Sequence, residues 1–117
     1  MEEVSLSLLV LKTNQVERLL AFYRAIGIQF EEERHGNGPL HYAATMGCTV
    51  LELYPAAAAD TDAVGIRVGF RVPNVLSAVE SLRAGGAVIV STPTASEWGS
   101  RAVVRDPDGR AVELYAR

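Results

Sequence analysis

The stretch "QVERLLAFYRAIG" (residues 15–27) predicts an amphipathic helix that packs on a sheet. Its apolar residues recur at spacings of three and four, and Gly27 supplies a C-terminal stop. Asn14 offers an N-cap, and Glu17 completes a looser version of the capping box. The preceding run "VSLSLLVLKT" (4–13) favours a buried strand, although periodicity alone does not exclude a helix.

Three more strand-like runs follow, at 28–35, 40–46 and 48–54, separated by "GNGP" and Gly47. After the alanine-rich link "PAAAADTDA" the pattern starts again with a strand at 65–72 and a helix at 75–86, which Pro73 and Asn74 open. The strands "AVIVS", "RAVVR" and "RAVELYAR" complete the second half. The polar region "TPTASEWGS" is interpreted as a hairpin and "DPDG" as a tight turn.

The two halves repeat one pattern. Helix positions such as Val16 and Val75, or Gly27 and Gly86, match at an offset of 59, and "LELY" (51–54) matches "VELY" (112–115) at an offset of 61. One such unit leaves a face of its sheet uncovered, whereas two units can close over a shared cleft. We therefore predict an α+β fold of two tandem βαβββ modules, forming a curved, partly closed mixed sheet around a cleft. The modules cover about 4–55 and 64–117 of a single domain, 1–117.

Composition excludes several classes of protein. Apolar residues make up 49% and charged residues 21% of the 117-residue chain, as in ordinary globular domains. The net charge of −3, without a long basic cluster, makes nucleic acid and anionic membranes poor partners. Cys48 is the only cysteine, so no internal disulfide or thiolate zinc cluster can form. The first residues resemble neither a signal peptide nor a membrane span, and we expect a cytoplasmic protein.

The repeated motifs carry a family resemblance. "VLKTNQVERLLAFYRAIGIQF" resembles the first motif of the vicinal oxygen chelate superfamily, which includes glyoxalase I, bleomycin-resistance proteins and extradiol dioxygenases. "VGFRVPNVLSAVESLRAGGAVIV" with "RDPDGRAVELY" resembles its second motif. The resemblance implies a homodimer whose partners share or complete each cleft. It does not fix the function, because this fold hosts metal lyases, isomerases, dioxygenases and metal-free binding proteins.

The resemblance also implies four metal ligands, one on the first strand and one carboxylate on the last strand of each module. Glu52 and Glu113 match the carboxylate positions, whereas Leu8 and Arg67 stand at the other two. Leucine cannot bind a cation, and an arginine supplies a permanent positive charge. We expect the guanidinium of Arg67 to bridge Glu52 and Glu113 in place of the ion.

The two histidines leave an alternative metal set open. His41, Glu52 and Glu113, with or without His35, have ligand types suited to zinc, nickel, manganese or iron. Whether His41 and Glu52 share a face depends on the hairpin register, which the sequence does not determine. His35, on the shoulder of a glycine-rich turn with Glu33 on the same side, could act as a lid residue.

Each of these residues also has a purely structural interpretation. The histidines could be hydrogen-bonded core or surface residues, and the glutamates and Arg67 could face solvent. Trp98 could form an aromatic wall over a ligand or be buried under the hairpin. Tyr54, Tyr115 and Phe70 are interpreted as core residues.

Three functions are consistent with this pattern. The first is a small-molecule-binding protein of the bleomycin-resistance type, with a metal-free charged cleft in which Arg67, His35 and Trp98 contact the ligand. The second is a divalent-metal-dependent lyase, isomerase or dioxygenase, with Glu113 or Glu52 as base and His41 as a ligand. The third is a metal-free enzyme that uses His41 and Glu52 as an acid–base pair.

Overall fold

Two four-stranded sheets, each carrying one α-helix, form the structure, a computed structural model that describes residues 3–61, 63, 65–97 and 99–116. The first module contains β1 (Leu8–Thr13), α1 (Val16–Ile26), β2 (Glu31–Glu33), β3 (His41–Met46) and β4 (Thr49–Pro55). A short 3-10 helix (Ala58–Asp60) links it to the second module. That module contains β5 (Arg67–Val72), α2 (Val75–Ala84), β6 (Val88–Ser96), β7 (Gly99–Arg105) and β8 (Ala111–Ala116).

The strand order is the same in both sheets. It is β1-β4-β3-β2 in the first and β5-β8-β7-β6 in the second, with one parallel pair in each, β1 with β4 and β5 with β8. The remaining pairs are antiparallel. The predicted α+β fold of two βαβββ modules is confirmed, and the two mixed sheets are not closed into a barrel.

Strand pairing places the two repeated glutamates at equivalent positions. Glu52 of β4 pairs with Val10 of β1, and Glu113 of β8 pairs with Gly69 of β5. Side chains alternate between the faces of a strand, so each glutamate points away from the face that its leucine neighbours occupy. Those leucines, such as Leu53, are buried in the core. Each sheet therefore has an apolar face in the core and a polar face, which carries Glu52 in the first sheet and Glu113 in the second.

The helices close the core. The buried residues of α1 are Leu19, Leu20, Phe22, Tyr23 and Ile26, and those of α2 are Val75, Ala78, Val79 and Leu82. The helices contact each other, and the residues of both modules belong to one hydrophobic cluster. No helix within the described ranges is long and apolar enough to cross a membrane.

The caps at Gly27 and Asn74 agree with the sequence prediction, whereas the predicted N-cap of α1 does not. Gly27 ends α1 at a φ of 113°, in the left-handed region where glycine is favoured, and the side chain of Asn74 caps α2 by accepting from Ser77 N at 2.9 Å. The prediction of Asn14 as the cap of α1 is wrong, because Gln15 occupies that position without a side-chain cap bond. The side-chain amide of Gln15 donates instead, from Nε2, to Asp108 Oδ1 at 2.6 Å.

Two strand predictions need correction. The run 28–35 is extended only over Glu31–Glu33, between an aromatic core residue and the glycine-rich turn. The hairpin predicted at "TPTASEWGS" is present, but its strands are longer than predicted, because β6 runs on to Ser96 and β7 begins at Gly99. Irregular register between β6 and β7, on either side of Ser91, accommodates Pro93 at the sheet edge.

A buried polar network joins the modules. Arg110 is fully buried and donates from Nη1 to Asp106 Oδ2 at 3.1 Å and from Nη2 to the carbonyl of Lys12 at 2.7 Å. The hydroxyl of Tyr23, on α1, donates to the same Asp106 oxygen at 2.7 Å. Burial, reinforced by the charge of Asp106, raises the pKa of Tyr23. Asp106 of the turn "DPDG" therefore anchors α1, and Arg110 after the turn anchors β1, to the second module.

Candidate functional site

Glu113 is the centre of a charged cluster on the polar face of the second sheet. Arg101 donates from Nε and Nη2 to Glu113 Oε1 at 3.1 and 2.8 Å, and Arg67 donates from Nε to Oε2. The hydroxyl of Tyr115 also donates to Oε1. We call these four residues the arginine cluster. Glu113 is only 5% exposed, so two cations and one hydroxyl compensate a buried charge.

These contacts fix the ionisation of Glu113. The hydrogen bond from Tyr115 is the largest influence that lowers the pKa of Glu113 from 4.5 to about 2, and Arg67 and Arg101 lower it further against the opposing effect of burial. A general base works best when its pKa lies near the operating pH. Glu113 is therefore ionised near neutral pH and holds the two guanidinium groups in position.

Gly69 shapes the aromatic side of the arginine cluster. A Cβ at Gly69 would lie 3.2 Å from Tyr115 Cε2, so the absence of a side chain leaves room for the tyrosine ring beside β5. A cavity of about 360 Å³ adjoins the ring and is lined by Gly69, Phe70, Arg71 and Tyr115. The interpretation of Tyr115 as a core residue is wrong, because the side chain is half-buried and its hydroxyl meets a carboxylate.

The four positions that the resemblance implies for a metal do not fit an ion. Leu8 has no donor atom and is 52% exposed. Arg67 directs its cationic guanidinium at Glu113, one of the two matching carboxylates. Within the described residues Arg67 makes no ion pair with Glu52, so the expected bridge between the two glutamates is seen at one end only.

A second cluster lies on the polar face of the first sheet. The ligand atoms of Glu33, His35, His41 and Glu52 all lie within 4.8 Å of one another, and we call these residues the histidine group. The register pairs Ala43 with Glu52, which puts His41 on the same face as Glu52. His41 and Glu52 therefore share a face, which the sequence alone does not determine.

His41 is the innermost member of the histidine group. Its ring is fully buried, stacks on Tyr54 at a centroid distance of 4.3 Å, and places Nδ1 3.2 Å from the carbonyl oxygen of Pro39. Its Nε2 lies 3.4 Å from Glu33 Oε1 and 3.7 Å from Glu52 Oε2. Within the described part of the chain this nitrogen has no hydrogen-bond partner.

The predicted site residues thus divide between two sheets. His35, His41 and Glu52 come together with Glu33, whereas Glu113 and Arg67 belong to the arginine cluster. Trp98 lies outside the described residues. Sequence reasoning missed Arg101, which sits in the run "RAVVR" opposite Tyr115, because only the pairing of β7 with β8 brings it to Glu113.

Solved structures with the same fold cover almost the whole chain. One is TnmS3, an antibiotic binding protein from Streptomyces sp. CB03234, at 22% identity and a TM-score of 0.76, covering 99% of this chain and 98% of that one. A glyoxalase/bleomycin resistance protein from the same Streptomyces strain has 23% identity and a TM-score of 0.72, with 95% and 99% covered. A glyoxalase/bleomycin resistance protein/dioxygenase family enzyme from Burkholderia phytofirmans PsJN has 20% identity and a TM-score of 0.75, with 97% and 98% covered.

The family itself is established from the sequence. No curated protein matches the chain significantly. The family model described as the Glyoxalase/Bleomycin resistance protein/Dioxygenase superfamily matches residues 5–114, and so covers both modules. The chain belongs to this superfamily.

Proposed function

We propose that this protein binds a small organic molecule with an acidic group on the polar face of its second sheet, and that Arg67 takes the role of the family's metal ion there. The observation that carries this proposal is the pairing of Arg67 with the buried Glu113, while the arginine side chain stays 64% exposed. A fixed positive charge that faces solvent attracts an anion.

Arg67 retains hydrogen-bond donors for a ligand. Only its Nε is bonded to a residue that the structure describes, so both terminal nitrogens can donate. A planar guanidinium binds a carboxylate through two parallel hydrogen bonds. The pleat puts further cations on the same face, and the arginines of that face are Arg67, Arg71, Arg101 and Arg105. Glu113 compensates only part of their charge.

The surroundings favour an organic ligand over a simple inorganic anion. The cavity beside Tyr115 combines an aromatic ring and glycine backbone with the polar side chain of Arg71. Small-molecule sites commonly pair apolar walls with a few polar groups that fix orientation. TnmS3, whose fold this chain shares, is an antibiotic binding protein, which agrees with a binding role.

Binding is favoured over proton transfer at this site. With a pKa lowered to about 2 by Tyr115 and the two arginines, Glu113 accepts a proton poorly near neutral pH. The glutamate therefore suits a positioning role better than that of a catalytic base.

A matched pair of ligands tests this proposal. Naphthalene-2-carboxylate and its uncharged carboxamide have the same aromatic body and differ in charge. Titration into EDTA-treated protein, followed by the fluorescence of Trp98, the only tryptophan, should give tighter binding of the carboxylate by about tenfold or more. Equal affinity for both compounds, or no binding of either, would contradict an anion site.

A second candidate function is an enzyme centred on His41 and Glu52, with or without a metal. One observation favours it: the buried Nε2 of His41 lies 3.7 Å from Glu52 Oε2 and 3.4 Å from Glu33 Oε1, so a proton could pass between them. Its test is the exchange of the acidic C–H of an α-hydroxyketone for deuterium, followed by NMR. A rate above the buffer reaction that His41→Gln abolishes would support the enzyme.

Assembly and compartment remain predictions. The homodimer implied by the family would double the mass of 12.6 kDa, which light scattering measures directly. The cytoplasm suits Cys48, a free and exposed thiol. Fractionation of the producing cells tests that compartment.

A further inference from the structure

The histidine group has the composition of a cation site. Two imidazoles and two carboxylates converge from β2, the following turn, β3 and β4, with all four ligand atoms within 4.8 Å of one another. This set shares only Glu52 with the four positions that the family resemblance implies. It also lies on a different sheet from the arginine cluster, so it is independent of the proposed anion site.

The buried ring of His41 is oriented as in a metal-binding histidine. Its ring is fully buried and Nδ1 faces the carbonyl oxygen of Pro39 at 3.2 Å, which leaves the lone pair on Nε2 when Nδ1 carries the proton. A histidine that binds a metal commonly donates its other ring N–H to a backbone carbonyl in this way. Nε2 has no hydrogen-bond partner in the described chain.

A proton on Nε2 of His41 would not make good hydrogen bonds to Glu33 and Glu52. The distances from Nε2 to Glu33 and Glu52 are 3.4 and 3.7 Å, longer than a charge-assisted hydrogen bond of about 2.7–2.9 Å. A buried polar atom without a hydrogen-bond partner destabilises the folded state. Two carboxylates that face one buried nitrogen also repel each other, and a cation between them would remove both penalties.

The spacing of the ligand atoms matches a small cation. Bonds of about 2.1 Å in tetrahedral geometry put neighbouring ligand atoms about 3.4 Å apart. The corresponding distances in this site are 3.4 Å for His41 with Glu33, 3.7 Å for His41 with Glu52, and 3.6 Å for His35 Nε2 with Glu33. His35 is 74% exposed, which gives an ion a path from solvent to the buried nitrogen.

We propose that the histidine group binds one divalent transition-metal cation through His35, His41, Glu33 and Glu52. Mixed imidazole and carboxylate ligands suit zinc, nickel, manganese and ferrous iron. Calcium and magnesium prefer sites made of oxygen alone. The site therefore extends the family's metal chemistry to a position within the first module.

Metal binding can be measured without any assay of activity. Tag-free, EDTA-treated full chain is titrated with Zn²⁺ by calorimetry, and with Co²⁺ by visible absorption, whose bands report the ligand geometry. We expect one equivalent of each ion. Because His41→Ala would open a cavity in a buried region, the informative variants are His35→Ala and Glu33→Gln at the partly exposed rim. Each should weaken Zn²⁺ binding by about tenfold or more.

Three control variants define the site. Glu32→Gln removes the same charge from the opposite face of β2, and Cys48→Ser removes the exposed thiol. Glu113→Gln removes the carboxylate that belongs to the arginine cluster. Zn²⁺ affinity should stay at the wild-type value in all three.

The proposal is overturned if no stoichiometric binding occurs or if either rim variant retains wild-type affinity. Loss of binding in Glu32→Gln, Cys48→Ser or Glu113→Gln also overturns it, because the metal would then sit elsewhere. None of these results depends on naphthoate binding, so failure of the metal site and failure of the anion site are distinguishable.

Discussion

Arg67 donates a hydrogen bond from Nε to the buried carboxylate of Glu113. The two residues lie on adjacent parallel strands, and the pair stands where the family resemblance implies a metal ion between ligands. An arginine provides the positive charge of a cation without an open coordination position. We propose that this exchange makes the site suited to an anion instead of a metal ion.

The stability of the protein should depend on the ionisation of Glu113. Because Tyr115 and the arginines lower its pKa from 4.5 to about 2, its contribution to folding is complete above pH 4.5 and is lost as the pH falls through 2. Urea unfolding of wild type and Glu113→Gln should differ by about 1–2 kcal/mol at pH 7. A difference that stays constant down to pH 2 would contradict this account.

Gly69→Ala should disturb the arginine cluster. The new Cβ would meet the ring of Tyr115 at 3.2 Å and displace its hydroxyl from Glu113, at a cost of about 1 kcal/mol in the free energy of unfolding. Naphthoate affinity should fall as well. Gly65→Ala is the matched control, because a Cβ there meets nothing within 4 Å. If Gly69→Ala and Gly65→Ala have equal effects on stability and on naphthoate affinity, the space at Gly69 does not determine the position of Tyr115.

Arg110→Met should destabilise the junction between the modules. The substitution leaves the buried Asp106 without its cation and removes the bond to the Lys12 carbonyl, so we expect a loss of about 3 kcal/mol in urea unfolding. Arg105→Met removes an exposed arginine that donates to the Gly109 carbonyl in the same hairpin, and should cost less than about 1 kcal/mol. Equal costs would mean that the buried network contributes little.

The stabilities of Asn74→Ala and Asn14→Ala compare an observed helix cap with one that only the sequence predicts. Asn74→Ala removes the bond to Ser77 N and should cost about 1 kcal/mol in thermal or urea unfolding. Asn14→Ala changes a residue that the sequence alone indicates as a cap but that is exposed and lies outside α1. Its stability should equal that of wild type, and a loss as large as that of Asn74→Ala would restore Asn14 as a cap.

The fold could be predicted because its signals are local and repeated. Apolar spacing and Gly27 define α1, and the matching "LELY" and "VELY" runs identify the last strand of each module. The cap of α1 was mispredicted because a contact distant in sequence, between Gln15 and Asp108, overrides the local capping pattern. The buried contact of Asp106, in "DPDG", with Tyr23 was missed for the same reason, because the two residues are distant in sequence.

The candidate site was predicted only in part, because it depends on strand register. Glu52 and Glu113 were found through the repeat, and Arg67 through the family resemblance. Arg101 reaches Glu113 because β7 and β8 pair in a register that places Val103 opposite Glu113. The sequence of a single strand does not determine this register. The same holds for the approach of Glu33 to His41, since these residues are cross-strand neighbours.

Calorimetric titration of naphthalene-2-carboxylate into EDTA-treated wild type and Arg67→Met tests the central claim most directly. Arg83→Met, which removes an exposed arginine from α2, is the matched control. The account predicts saturable binding without metal, a loss of about tenfold or more in Arg67→Met, and unchanged affinity in Arg83→Met. Binding that requires added metal, or that is the same in Arg67→Met as in wild type, would contradict it.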